Sequence, residues 1–188
     1  MIVIFSEKGG VGKSNLSFTI AKDLDKHYYT NDSSIISSVY ERSTYTDKKM
    51  AIDKDGVYDL GGFLTRYVTD VLDKASIVII PTIADYNAML KAIKVIDYVG
   101  VERAIVIANM IDKPQDLEEI QDVIMGKHPT VRVLPLKRSR IFKNGLESGQ
   151  SARDINNASA LNKHIYKAVI KQYENILMEI SKWRNNLH

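Results

Sequence analysis

The sequence predicts an α/β fold, a single domain over residues 1–188 with a mostly parallel central sheet and helices on both faces. Three observations predict it. Four short apolar runs rich in β-branched residues, Ile2 to Phe5, Ile77 to Ile80, Ala104 to Ala108 and Val131 to Leu134, have the length of strands covered on both sides. Helical patterns fill the intervals, and strands alternating with helices build a parallel sheet with right-handed crossovers. The first run passes directly into Lys8-Gly9-Gly10-Val11-Gly12-Lys13-Ser14, a glycine-rich turn that opens a helix.

Taken in order, Ile2 to Phe5 is a buried strand and Asn15 to Leu24 a helix. Tyr28 to Thr30 and Val57 to Leu60 are weaker strand candidates. Between them, Ser33 to Asp55 is rich in Ser, Thr, Tyr, Lys and Asp, and only Ile35-Ile36 and Met50-Ala51-Ile52 read as buried. A loop of that length in a compact domain is characteristically functional or mobile. Helices are expected at Leu64 to Leu72 after the Gly61-Gly62 pair, at Asn87 to Val99 ending on Gly100, and at Leu117 to Met125 after Pro114. A long helix, residues 158–183, closes the chain and packs on the sheet. Ile165, Val169, Ile170, Tyr173, Ile176, Leu177, Ile180 and Trp183 form its core-facing stripe.

Composition narrows the function. The apolar share of 45% and charged share of 26% are those of a globular domain. With no cysteine there is no disulfide, no thiolate metal site and no iron–sulfur cluster. No apolar stretch reaches the ~18 residues of a membrane span, and a chain that opens on a strand leaves no room for a signal peptide. A cytoplasmic protein is therefore expected. The net charge of +3 does not by itself imply nucleic acid. His27, His128, His164 and His188 show no metal-ligand spacing.

The residues of the glycine-rich turn fit phosphate. Gly9, Gly10 and Gly12 can take positive φ and carry no Cβ to block phosphate oxygens, so backbone N–H groups can wrap the anion at the helix start. Lys13 would neutralise the β- and γ-phosphates, and the Ser14 hydroxyl would be a ligand of Mg²⁺. Val11 and Asn15 complete the loop and its first helical turn. The general P-loop pattern G-x-x-x-x-G-K-[ST] fails in its first glycine, which is Glu7, and a second lysine, Lys8, precedes the glycine pair. Asp59 closes a short apolar strand ahead of Leu60-Gly61-Gly62. In the company of the P-loop it reads as the carboxylate that holds the water shell of Mg²⁺, with Gly62 offering a backbone N–H to the γ-phosphate. Standing alone, the same tetrapeptide would read as a turn.

The K-G-G-x-G-K-[ST] form resembles the deviant P-loop of the ParA/MinD group of ATPases, and the resemblance runs from residue 1 to about Ile155. It implies a Mg-ATP-dependent ATPase closest to the ParA-like partition ATPases, hydrolysing slowly and stimulated by a partner. Asp32, after Thr30-Asn31, matches the second aspartate of the group's D-x-D pattern, which positions the attacking water. A turn or N-cap role is its other reading. Asn109 falls where the group reads adenine, the alternative being a cap or turn before Pro114. Pro135, within Leu134-Pro135-Leu136, falls in the other adenine-side stretch. The resemblance further implies an ATP-bound sandwich homodimer in which Lys8 reaches the partner subunit's phosphates. It also implies non-specific DNA binding by that dimer, a centromere-binding ParB-like partner, and nucleoid association of the ATP-bound form.

The run Lys137-Arg138-Ser139-Arg140-Ile141-Phe142-Lys143, followed by Arg153 and by Lys163, Lys167 and Lys171 at i, i+4, i+8, would suit a phosphate-backbone track, although such a stripe can equally be a solvated helix face. Three rival readings stay open: a MinD-like ATPase lying on a membrane without stable insertion, a metabolic or maturation enzyme on the same core, and a non-hydrolysing nucleotide switch.

Overall fold

The computed structural model describes residues 1–32, 35–45 and 52–185. Seven strands form one sheet in the order β3-β2-β4-β1-β5-β6-β7, and every neighbouring pair runs parallel. The strands are β1 (Ile2–Ser6), β2 (Tyr28–Thr30), β3 (Ser43–Tyr45), β4 (Val57–Gly61), β5 (Ile77–Thr82), β6 (Ala104–Ile111) and β7 (Arg132–Lys137). β1 lies between β4 and β5, with Ile2 opposite both Val57 and Ile77. From β1 the chain crosses to β2 on one side and later to β5 on the other. That reversal opens a crevice at the carboxyl ends of the central strands, the usual place for a ligand in an open α/β sheet.

Side-chain alternation assigns the two faces. Val3, Phe5, Tyr58, Leu60, Val78 and Ile80 point into a core covered by α3 (Arg66–Leu72), α4 (Tyr86–Val99) and α5 (Pro114–Lys127). Ile2, Ile4, Val57, Ile77 and Ile79 point the other way, under α1 (Lys13–Asp23), α2 (Ile36–Val39), α6 (Ile141–Ser148), α7 (Ala152–Asn157) and α9 (Lys167–Asn185). Helix ends follow their cap residues. Asp85 accepts from the Ala88 N–H at 2.8 Å to start α4, and Gly100 stops it at φ +85°. Pro114 begins α5, where Asp116 reaches back to the Lys113 N–H at 3.1 Å.

Several expectations change. The segment read as one long loop carries α2 and β3, with Ile36 fully buried but Ile35 51% exposed. Ile52, expected inside, is 41% exposed, and Met50 and Ala51 lie outside the described residues. Polar Ser43-Thr44-Tyr45 joins the sheet edge through backbone pairing with β2, which leaves no hydrophobic signature. The long terminal helix is two, α8 (Ala160–Ile165) and α9, interrupted at Tyr166. Val169, Tyr173, Ile176, Leu177 and Ile180 are buried as expected, whereas Ile165 is 58% exposed. The break also separates Lys163 on α8 from Lys167 and Lys171 on α9, so the lysine stripe does not lie on one continuous helix. The basic run divides between the end of β7, a turn at Arg138 to Arg140, and α6, whose Ile141 and Phe142 are buried. No helix among the described residues is long and apolar enough to cross a membrane.

Candidate nucleotide site

Residues 7–12 connect β1 to α1. Gly10 (φ +78°) and Gly12 (φ +80°) both take the left-handed conformation that a side chain disfavours. A Cβ on Gly12 would sit 2.6 Å from Asn109 Nδ2, so the loop and the end of β6 meet where only glycine fits. Helix α1 has neither a side-chain cap nor an acidic residue in its first turn, which leaves its amino-terminal N–H groups and dipole to an anion. Lys13 and Ser14 stand in that first turn, partly exposed.

Alternation along β4 puts Asp59 on the same face as Val57, the face that α1 covers. Lys13 Nζ therefore reaches Asp59 Oδ1 at 3.1 Å. Asp59 is 1% exposed, and its other oxygen, Oδ2, accepts the Tyr28 hydroxyl at 2.6 Å. Burial first, and the adjacent Asp59 charge second, push the Tyr28 phenol well above its usual pKa, so it remains a donor. A hydroxyl on Ser14 and a buried carboxylate on Asp59 are hard oxygen donors that suit Mg²⁺, whose remaining positions go to water and phosphate. Among the described residues no three His, Cys, Asp or Glu side chains gather into a protein-only metal cage.

The flanking loops tie into the same centre. The Asn31 carboxamide makes two hydrogen bonds with Gly61: Nδ2 donates to its carbonyl at 3.1 Å, and Oδ1 accepts its N–H at 2.9 Å. Gly61 thus has a committed N–H, while Gly62 (φ +96°) is exposed. Asp32 is exposed just beyond β2, its N–H bound to Thr30 Oγ1 at 3.0 Å. Thr30 in turn is the register partner of Asp59. Glu7 stands where the general motif has glycine. Its side chain, 4% exposed, accepts from Lys94 Nζ at 2.9 Å and from the Leu64 N–H at 3.4 Å. Lys8 Nζ lies 3.9 Å from Oδ1 of Asp85, the cap of α4.

A cleft of about 440 Å³ runs from Gly12, Asn15 and Leu16 past Asn109 and Met110 to Leu136–Arg140, Phe142 and Lys143. Asn109 Nδ2 donates to the Val11 carbonyl at 2.7 Å, and its Oδ1 accepts the Met110 N–H at 2.9 Å. Part of its hydrogen-bonding capacity therefore holds the P-loop. Pro135 is inside β7, paired with Ala108, and the cleft wall begins one residue later at Leu136. Arg153, counted above in the basic track, is bound through two nitrogens to Glu174 at 2.7 and 2.5 Å. Sequence reading missed Tyr28, Asn31, Glu7 and Asp85. Each reaches the centre through strand register or a tertiary contact that no local spacing reveals.

No family model and no curated protein matches the sequence. Solved structures do match the fold. Apo McdA of Cyanothece superposes with a TM-score of 0.67 at 14% identity, covering 95% of this chain and 97% of that one. A Borrelia burgdorferi B31 protein assigned to plasmid partition, bound to AMPPNP, gives 0.63 at 17% identity, covering 96% and 98%. The cell division protein MinD of Aquifex aeolicus gives 0.59 at 16% identity, covering 94% and 96%. The chain has the fold of the ParA/MinD-type P-loop ATPases.

Proposed function

We propose that this chain is a Mg-ATP-dependent, dimerising ATPase of the ParA type. It acts in plasmid or chromosome partition, and its ATP-bound homodimer binds DNA non-specifically. The observation that carries this reading is the meeting, at the carboxyl ends of β1 and β4, of a phosphate-shaped loop, the Lys13–Asp59 pair and a second lysine, Lys8, outside that pair. Among the matched structures, one is described as an McdA–ATP complex and one as MinD with Mg-ADP, which supports the choice of ligand.

In this reading Gly9, Gly10, Val11, Gly12 and Asn15 surround the phosphates, and Lys13 exchanges Asp59 for the β- and γ-oxygens. Ser14 would hold Mg²⁺ directly and Asp59 would hold its water shell, and the ion would neutralise charge developing on the phosphates. Gly62 senses the γ-phosphate, Asp32 orients the attacking water, and the purine lies in the cleft beside Asn109 with Pro135 behind its wall. Lys8 leaves Asp85 to reach the partner subunit's phosphates, supplying the cation that an arginine finger supplies elsewhere. Exposed Lys137, Arg138, Arg140 and Lys143, with Lys163, Lys167 and Lys171, would give each subunit a track for a phosphate backbone. Hydrolysis, stimulated by a ParB-like partner, would release the nucleoid-bound dimer.

The test is calorimetric titration of ATP with Mg²⁺ into the parent and into Lys13→Ala. The variant is expected to lose about 10- to 100-fold in affinity, the worth of a charge-assisted contact to phosphate. Equal affinities would overturn the P-loop assignment. A parent that binds ATP and then fails to shift DNA at low salt would overturn the partition role while leaving the nucleotide site.

A further inference from the structure

We infer that Tyr28 is a positioning residue for the metal-binding carboxylate Asp59. It keeps one carboxylate oxygen occupied so that only the other faces the P-loop. The inference rests on the proposed role of Asp59 and concerns a residue outside the phosphate loop.

The geometry comes from strand register. Tyr28 pairs with Val57, which makes Asp59 its diagonal neighbour on the same face of the sheet. The ring is fully buried within the core under α1. An apolar residue of the same size would fill that space, and a phenol there costs free energy unless its hydroxyl is satisfied. The hydroxyl is satisfied by Asp59 Oδ2 at 2.6 Å, inside the range of a strong bond to a charged acceptor.

The two oxygens of Asp59 therefore have different fates. Oδ1 is held by Lys13 Nζ, a flexible side chain that a phosphate group can draw away. Oδ2 is held by the hydroxyl of a ring that packing has fixed. When Lys13 turns to phosphate, Oδ1 opens as a single, aimed acceptor, and Tyr28 prevents the carboxylate from rotating to follow the lysine. Such support is what orients a carboxylate toward a metal and its water shell.

The experiment titrates Mg²⁺ at fixed protein and a fluorescent ADP analogue, for the parent, Tyr28→Phe and Asp59→Asn, each also measured in EDTA. Tyr28→Phe keeps the ring and removes the bond. It should need about 10-fold or more Mg²⁺ for half-saturation, the usual cost of losing an outer-shell partner, with the parent's affinity in EDTA. A Mg²⁺ requirement equal to the parent's would overturn the inference while leaving Asp59's role intact. Weaker binding in EDTA as well would make Tyr28 a packing residue and overturn it too. If Asp59→Asn retained the parent's Mg²⁺ dependence, the reading of Asp59 would itself fall and this inference with it.

Discussion

Asp59 and Asp32 occupy contrasting environments at neighbouring strand ends, and the contrast separates their chemistry. Asp59 is buried and holds a lysine and a tyrosine, so it belongs to the ground-state architecture of the site. Asp32 is exposed, and no hydrogen bond to its carboxylate is found among the described residues. An exposed carboxylate at the strand end next to that of Asp59 has the chemistry to orient a water. If Asp32 orients the attacking water as proposed, Asp32→Ala is expected to leave ATP affinity unchanged and to reduce phosphate release about 10²- to 10⁴-fold, as for a group acting in the transition state. Paired measurements of ATP affinity and phosphate release check this, and normal turnover would return Asp32 to a turn role.

Among the elements, α1 carries the site and must be held at both ends. At its start, Gly12→Ala would combine a φ of +80° with a Cβ 2.6 Å from Asn109 Nδ2. Left-handed strain of about 1–2 kcal/mol and the displaced Asn109–Val11 bond should together lower stability and nucleotide affinity, readable by urea unfolding and calorimetry. At its end, Asp23 accepts the hydroxyl of buried Tyr173 on α9 at 2.9 Å. Burial raises the Asp23 carboxyl above its usual pKa, with Ser151, Tyr173 and Arg153 pulling part of the way back. A raised folded-state value means that the fold binds this proton more tightly than the unfolded chain does. Its contribution therefore falls as pH rises from 3.8 through the folded value and is unfavourable at neutral pH. Asp23→Asn keeps an acceptor for Tyr173 and should be more stable than the parent at about pH 7. That advantage should vanish at about pH 3, where both states hold the proton. Urea unfolding at the two pH values checks the sign.

The same elements show what the sequence could reveal. β1, β5 and β6 were legible because strands buried on both faces leave continuous β-branched runs. The P-loop was legible because its chemistry is contiguous in the chain. The nearness of Asp59 to Lys13 was legible only through that loop, and the Tyr28 contact not at all, since it is fixed by the register of two strands separated by a long, polar segment. β3 was hidden because edge pairing through the backbone asks nothing of its side chains. The break at Tyr166 was hidden because apolar spacing continues across it.

For the whole molecule, the disposition of the two P-loop lysines matters most. Lys13 is paired with buried Asp59, whereas Lys8 lies 3.9 Å from Asp85, partly exposed and weakly restrained. In the proposed function Lys13 would serve its own subunit's phosphates and Lys8 those of a partner subunit. Dimerisation through Lys8 would bring two cationic tracks onto one DNA, and avidity would then make DNA binding depend on ATP. Lys8 is proposed to act between subunits, and sedimentation velocity of the parent and Lys8→Ala with saturating Mg-ATP separates that role from one within its own subunit. A dimer is expected for the parent and a monomer for the variant, with labelled nucleotide still co-sedimenting with that monomer. A parent that stays monomeric, or a Lys8→Ala protein that dimerises as the parent does, would contradict it.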